Sequence, residues 1–476
     1  MGNGGMCGTQ MPRASGPALR HAGTPSKVIF LDRCVGGCLF TGSASHDAQT
    51  DKVAIAGTTE GAVYAFDEFK NFAGLSGAAA DAEWTAIVDC TRKIYSYYDT
   101  VVTDVKPASG TYHRAVLSGV GSQLIQGADS TLLGISDVEC TGPIHNMTAF
   151  TFADAHRAFA NNAARYVKDL CVTVTHEAGH SFGLEHQFEF LDGTSACSDP
   201  MSYDTGECDP PFRFFRNKPA KCGGFELTPC FCSAAANSHV KLTGVFGAAT
   251  IPPTIAPPIA EVTTPVPDAQ LGANIIVSAG HDRGVERVAL FINGHEWTQQ
   301  PGLEFVRGGG QPNPGFHTFP IPARLPDSIV DIQVRVYDDL GNATDSPVVT
   351  AIKGAACADA STCATGQQCE AGRCFWDPPA GVVGDDCTYP EFCLSGQCSN
   401  TTFAGDTAVC TQACIVGSPD ACPDGLECTA AGNGAICFVA TDGGGCCSAS
   451  STTPWGPLVI GLCLVGYLAR RRRVTP

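Results

Sequence analysis

The clearest periodicity in the chain lies at residues 167–182. There Val167, Leu170, Cys171, Val174, Ala178 and Phe182 recur every three or four positions, the spacing of an amphipathic helix. Trp84, Ile87, Val88, Ile94, Tyr95 and Tyr98 mark an earlier helix. Short apolar runs at 28–31, 52–56, 101–105 and 115–120 read as strands. Strand, helix and strand ahead of the 167–182 helix predict an α/β unit. Further on, every position of Val288-Ala-Leu-Phe-Ile292 is apolar, as in a strand covered on both faces. Val330, Ile332, Val334 and Val336 alternate with Asp331, Gln333, Arg335 and Tyr337, as in a strand with one wet face. Asn293-Gly294 and Gly341-Asn342 mark turns. A long stretch of short strands without helical period predicts a β-sandwich.

At 476 residues the chain exceeds one ordinary core, so two to four units are expected. The proline-rich run Ile251-Pro-Pro-Thr-Ile-Ala-Pro-Pro258 and Thr263-Thr-Pro-Val-Pro267 read as an extended spacer. The 26 cysteines sharpen the division. Ten fall between Cys34 and Cys232, twelve between Cys357 and Cys437, and none in the sandwich region; the others are Cys7, Cys446, Cys447 and Cys463. Two even groups imply two separately stapled units and an oxidising, extracellular setting. A net charge of −18 argues against nucleic acid as a partner.

In the second group the spacing C-x5-C-x4-C occurs at Cys363, Cys369 and Cys374 and again at Cys387, Cys393 and Cys398, with a third copy begun by Cys422 and Cys428 and closed by Cys437. The absence of CxxC pairs and histidines there disfavours zinc and favours disulfide loops. Their task is either recognition of a surface or matrix ligand or service as a stalk.

Chemistry concentrates in Thr173-Val-Thr-His-Glu-Ala-Gly-His-Ser-Phe-Gly-Leu-Glu-His186. Four helical residues advance about 400° and about 6 Å. His176 and His180 therefore leave one face a turn apart and can reach a single zinc ion. Gly183 can adopt the left-handed conformation that ends a helix and returns His186 to the same ion. Three neutral ligands leave a position for water, beside which Glu177 stands. In this composition a chance H-E-x-x-H-x-x-G-x-x-H is expected on the order of 10⁻⁵ to 10⁻⁴ times per chain. The rival reading is an ordinary helix with surface histidines.

This segment resembles the metzincin superfamily of zinc endopeptidases at every fixed position of its extended motif. The resemblance implies one catalytic Zn²⁺ on His176, His180 and His186, with Glu177 as general base. It also implies a Met-turn, for which Met201 in Ser198-Asp-Pro-Met-Ser-Tyr203 is the candidate. Tyr203 matches the tyrosine of M-x-Y branches, where it helps hold the metal or the oxyanion; packing is its alternative role. Met201-x-Tyr203-x4-Cys208-x3-Phe212 has the spacing of the pappalysin-like branch, where Cys197 could pair with Cys208, whereas Gln187, after the third ligand, matches no well-known branch. By family analogy an edge strand upstream of the zinc helix pairs with extended substrate, and 148–152 is the expected counterpart.

Two further resemblances concern the flanks. Tyr337-Asp-Asp-Leu-Gly-Asn342 resembles the late-strand signature of bacterial immunoglobulin-like modules. The tail combines Gly443-Gly-Gly-Cys-Cys-Ser448, an apolar run at 455–469 and Arg470-Arg-Arg-Arg473, and resembles the sorting tails of myxobacterial surface proteins. That implies processing at Cys446 or Cys447; a permanent membrane anchor is the alternative. No apolar export signal occurs in residues 1–26, which points to a start recorded downstream of the true one or to another export route. Cys7, in Gly5-Met-Cys-Gly-Thr9, bears a faint resemblance to the cysteine-switch of some metzincin propeptides; an accidental cysteine is the alternative.

The expected architecture is multidomain. An irregular start (1–26) leads into an α/β zincin domain (27–246). A linker (247–268), an immunoglobulin-like β-sandwich (269–354), a Cys-rich repeat module (355–440) and the tail (441–476) follow. The expected function is hydrolysis of extracellular proteins or peptides by an exported, surface-attached bacterial zinc endopeptidase. The rival is a catalytically silent surface adhesin that uses the immunoglobulin-like and Cys-rich modules.

Overall fold

A computed structural model describes residues 6–9, 26–140, 143–204, 210, 212–251, 256–302, 314–399, 408–414, 422, 426–431 and 434–439. The protein is multidomain, β-rich and heavily disulfide-stapled. It divides into two compact units, Met1–Ala364 with Cys369–Phe375, and Thr365–Gln368 with Trp376–Pro476.

The first unit opens with strands β1 (Met6–Thr9), β2 (Val28–Asp32), β3 (Cys38–Gly42), β4 (Lys52–Val53) and β5 (Val63–Phe66), then helix α1 (Asp81–Tyr95). Strands β6 (Val101–Thr103), β7 (His113–Leu117), β8 (Leu132–Ser136) and β9 (Thr148–Thr151) and helices α2 (Ala153–Arg157) and α3 (Ala163–His180) follow. Six strands form one sheet in the order β1-β8-β9-β7-β2-β6, parallel except where β8 meets β9. Alternation decides which core each side chain enters. Ile29, Leu31, Ala115 and Leu117 face α1 and α3, against Trp84, Ile87, Leu170 and Val174. Val116 and Phe150 point the other way, onto Phe40 of β3 and Phe66 of β5. The Cys90–Cys171 disulfide ties α1 to α3.

The expectation that 148–152 forms the sheet edge is corrected. All four residues of β9 are buried, because it lies between β7 and β8. The outer strand of the antiparallel pair is β8, and β1 lies along it in parallel, with Cys7 opposite Gly134.

Strands β10 (Gln187–Phe190), β11 (Ala220–Gly223) and β12 (Leu227–Thr228) make a small antiparallel sheet, followed by α4 (Ser238–Phe246). The sandwich has β13 (Ile259–Thr264), β14 (Asn274–Gly280), β15 (Arg287–Ile292), β16 (His295–Pro301), β17 (Gly315–Pro320), β18 (Ser328–Tyr337), β19 (Ala343–Asp345) and β20 (Val349–Lys353). Its sheets are β13-β14-β17 and β16-β15-β18-β19, with β20 also on β18. β18 alternates buried and half-buried residues along its whole length, β15 is central, and Asn293-Gly294 turns it into β16. These three features agree with the periodicity.

Disulfides set the cysteine repeat. In the first unit Cys357 pairs with Cys369 and Cys363 with Cys374. In the second unit the pairs are Cys387–Cys398, Cys393–Cys410, Cys414–Cys428 and Cys422–Cys437. Each repeat thus has four cysteines joined first to third and second to fourth. The matched spacings at Cys363 and Cys387 are one position out of phase. Cys208, Cys446, Cys447 and the 455–473 tail lie outside the described residues. Among the described residues no helix is long and apolar enough to cross a membrane.

Candidate metal centre

Helix α3 starts where Asn162 caps it by accepting the Arg165 N–H at 2.8 Å. It ends at His180, and the turn that follows passes through Gly183, whose φ is +81°. A Cβ there would also meet the Glu139 carbonyl oxygen at 2.8 Å, so both conformation and space require glycine. The turn brings His186 back onto the face of His176 and His180. Their Nε2 atoms stand 3.0 Å (His176–His180), 3.1 Å (His176–His186) and 3.1 Å (His180–His186) apart.

Hydrogen bonds fix which nitrogen is bare. His176 Nδ1 donates to the Pro200 carbonyl at 2.8 Å and His180 Nδ1 to the Leu184 carbonyl at 2.7 Å. Their Nε2 lone pairs therefore point inward. Burial holds His176 down to about 4, and burial reinforced by the neighbouring imidazoles holds His180 and His186 well below the ordinary histidine value. All three are neutral at pH 7. The lone pairs of His176 and His180, 3.0 Å apart at Nε2, repel each other unless a cation lies between them. Tetrahedral coordination at 2.0–2.1 Å spaces its nitrogens about 3.3 Å apart, close to what is seen. The donor set fits a borderline-soft divalent ion.

Glu177, fully buried, leaves α3 next to His176. Its carboxylate lies against Gly134 of β8, where an added Cβ would stand 2.5 Å from Oε1. Met201 is fully buried under the helix, its Sδ 2.9 Å from a Cβ built on Gly179. Gly179 thus lets the methionine turn approach. Tyr203 places its ring 4.1 Å from that of His186 and 5.0 Å from that of Phe225. Every residue singled out in the motif and turn, His176, Glu177, His180, Gly183, His186, Met201 and Tyr203, is brought together here.

Other residues complete the site without a local signature. Asp199 is buried and accepts from Met201 N (2.8 Å), Arg216 N (2.7 Å) and Ser238 Oγ (3.2 Å). Burial pushes its carboxyl up to about 6. Gln187 acquires a structural role: its backbone N–H donates to Met201 O at 3.0 Å and its amide to Ser238 Oγ at 2.6 Å. The β11–β12 hairpin is closed by Cys222–Cys230 and followed by Cys140–Cys232. It sets Gly224 against Tyr203 and His186, and Phe225 beside them stays 57 % exposed. Glu185 accepts Phe231 N and Cys232 N at 2.7 and 3.0 Å, holding the chain just before the third histidine.

No protein-family profile and no curated protein matches the chain. Several solved structures show partial likeness, two of them as follows. One holds the fibronectin(III)-like modules of CbhA from Clostridium thermocellum, 14 % identical, covering 20 % of this chain and 96 % of that one at a TM-score of 0.16. The other is wild-type OgpA from Akkermansia muciniphila, 13 % identical, covering 51 % of this chain and 64 % of that one at a TM-score of 0.13. Such scores establish no shared fold with either protein.

Proposed function

We propose that the chain is a zinc-dependent endopeptidase acting on extracellular proteins or peptides, with residues 27–246 as an α/β zincin domain of metzincin type. The observation that carries this reading is the convergence of three inward-facing Nε2 atoms, 3.0–3.1 Å apart, with Glu177 adjacent on the same helix. His176, His180 and His186 would hold the ion. Bound zinc supplies a Lewis acid that polarises a carbonyl and lowers the pKa of water.

The chain's own residues do the rest. The Glu177 carboxylate takes the proton of the attacking water and delivers it to the leaving amine nitrogen. Its burial keeps competing solvent away from that proton. The Tyr203 hydroxyl, carried on a ring against His186, donates to the oxyanion of the scissile carbonyl. Met201 and Pro200 form the floor and the backbone acceptor that hold the imidazoles in orientation. An extended peptide can pair with β8 only by taking the place along its outer edge that β1 holds in this structure.

The test is cleavage of a broad peptide library by the wild-type chain and by Glu177→Ala, with metal content measured in both. One zinc per chain, turnover in the wild type and its loss in Glu177→Ala are expected. Undiminished cleavage by the variant, or a zinc-loaded wild type inert toward the library, would overturn the assignment, the latter in favour of the adhesin.

A further inference from the structure

The segment 213–217 is gripped from two sides. On the side of the methionine turn, the Arg213 guanidinium donates to the carbonyls of Ser202 (3.0 Å) and Asp204 (2.8 Å), and Arg216 N donates to Asp199 at 2.7 Å. On the side of the β-sandwich, Arg283 Nη2 donates to the Phe215 carbonyl at 2.9 Å and Asp339 accepts Asn217 N at 2.8 Å. Arg283 and Asp339 are themselves a buried fork: Nε to Oδ1 is 2.9 Å and Nη2 to Oδ2 is 2.8 Å. The guanidinium also lies over the rings of Tyr97 (4.3 Å) and Phe214 (5.2 Å). The Phe215 ring reaches the same glycine as Met201: a Cβ on Gly179 would stand 3.6 Å from Phe215 and 2.9 Å from Met201 Sδ.

A fork of this kind is planar, directional and buried, so it fixes a position rather than merely adding attraction. Another ion pair between the same two lobes, Lys93–Asp282 at 3.0 Å, is half exposed and stands apart from these hydrogen bonds, with Lys93 over the Phe212 ring at 3.7 Å. The two pairs separate lobe attachment from site positioning.

We infer that the β-sandwich is part of the catalytic unit: Arg283 and Asp339 are positioning residues that, through Phe215 and Arg216, set the Asp199–Met201 turn beneath the histidines. The inference deepens the zinc-peptidase reading and rests on it for the role of that turn.

The test uses the full chain as wild type, Arg283→Lys, Asp339→Asn and Asp282→Ala. Two readouts are taken: amide hydrogen exchange of the metal-free protein and zinc affinity by chelator competition. In Arg283→Lys and Asp339→Asn, exchange at 199–203 and 213–217 should accelerate on the order of tenfold, with α1 still protected. Zinc should bind on the order of tenfold more weakly in both. Asp282→Ala should match the wild type in both readouts. Arg283→Lys retains the charge, so it serves if Asp339→Asn does not fold. Unchanged exchange at 199–203 in Arg283→Lys, or equal effects in Asp282→Ala, would overturn the inference. Neither readout needs turnover, so an inert protein would defeat the proposed function while leaving this result to stand or fall alone.

Discussion

The carboxylate of Glu177 and the α-carbon of Gly134 occupy adjoining space: a methyl group on Gly134 would stand 2.5 Å from Oε1 and 2.7 Å from Cγ. Strand β8 therefore carries glycine at the one point where α3 presses its acid against the sheet. Gly134→Ala forces the carboxylate aside without touching a histidine. Turnover in that variant should fall at least tenfold with zinc content unchanged, a misplacement effect on geometry rather than on metal. Peptide cleavage together with metal analysis checks this. Equal loss of zinc would show instead that the sheet had shifted.

Asp339 links stability to pH. Burial alone would push its carboxyl up, but Arg216 and Arg283 outweigh burial and hold it well below the usual carboxylate range. The folded value lies under the unfolded one, so this carboxylate contributes its full stability above the unfolded value, about 4. That contribution is lost as pH falls toward the folded value. Urea unfolding from about pH 7 to about pH 3 should show the decline, with a shallower slope in Asp339→Asn. At neutral pH the variant should be less stable by about 3–5 kcal/mol, since Arg283 is left buried without its partner.

How much of this was legible depends on the range of the contacts. His176, Glu177, His180 and Gly183 are set by helical rise and a glycine stop, both local properties, so the motif alone places them. Asp199 and Arg216 are 17 residues apart, Gln187 and Ser238 are 51, Arg283 and Asp339 are 56, and Asn217 and Asp339 are 122. Nothing local announces such pairs. The edge role of 148–152 rests on family analogy alone, and strand order is a long-range property: β9 lies between β7 and β8, and β8 between β9 and β1. The cysteine repeat slipped by one position because similar gaps recur at different places in a four-cysteine pattern whose other gaps vary.

The two disulfides beside the third histidine should rank by loop length in stability. Cys140–Cys232 closes a loop of 92 residues and Cys222–Cys230 one of 8. Chain entropy gives about 4.5 kcal/mol for the first and about 2.5 kcal/mol for the second. Paired serine variants compared by urea unfolding test the order. Loss of Cys222–Cys230 should also weaken zinc binding, because the hairpin it closes sets Gly224 against His186 and Tyr203.

Tyr203 separates packing from chemistry. Its ring lies 4.1 Å from the His186 ring and 5.6 Å from that of His176, so part of its role is to hold two imidazoles in place. That part survives in Tyr203→Phe and is lost in Tyr203→Ala. If the hydroxyl stabilises the oxyanion, Tyr203→Phe should lower kcat on the order of 100-fold, with KM and zinc affinity little changed. Tyr203→Ala should add a loss of zinc affinity to that fall. A tyrosine that only packs would give the opposite result, with Tyr203→Phe indistinguishable from wild type and the whole effect appearing in Tyr203→Ala.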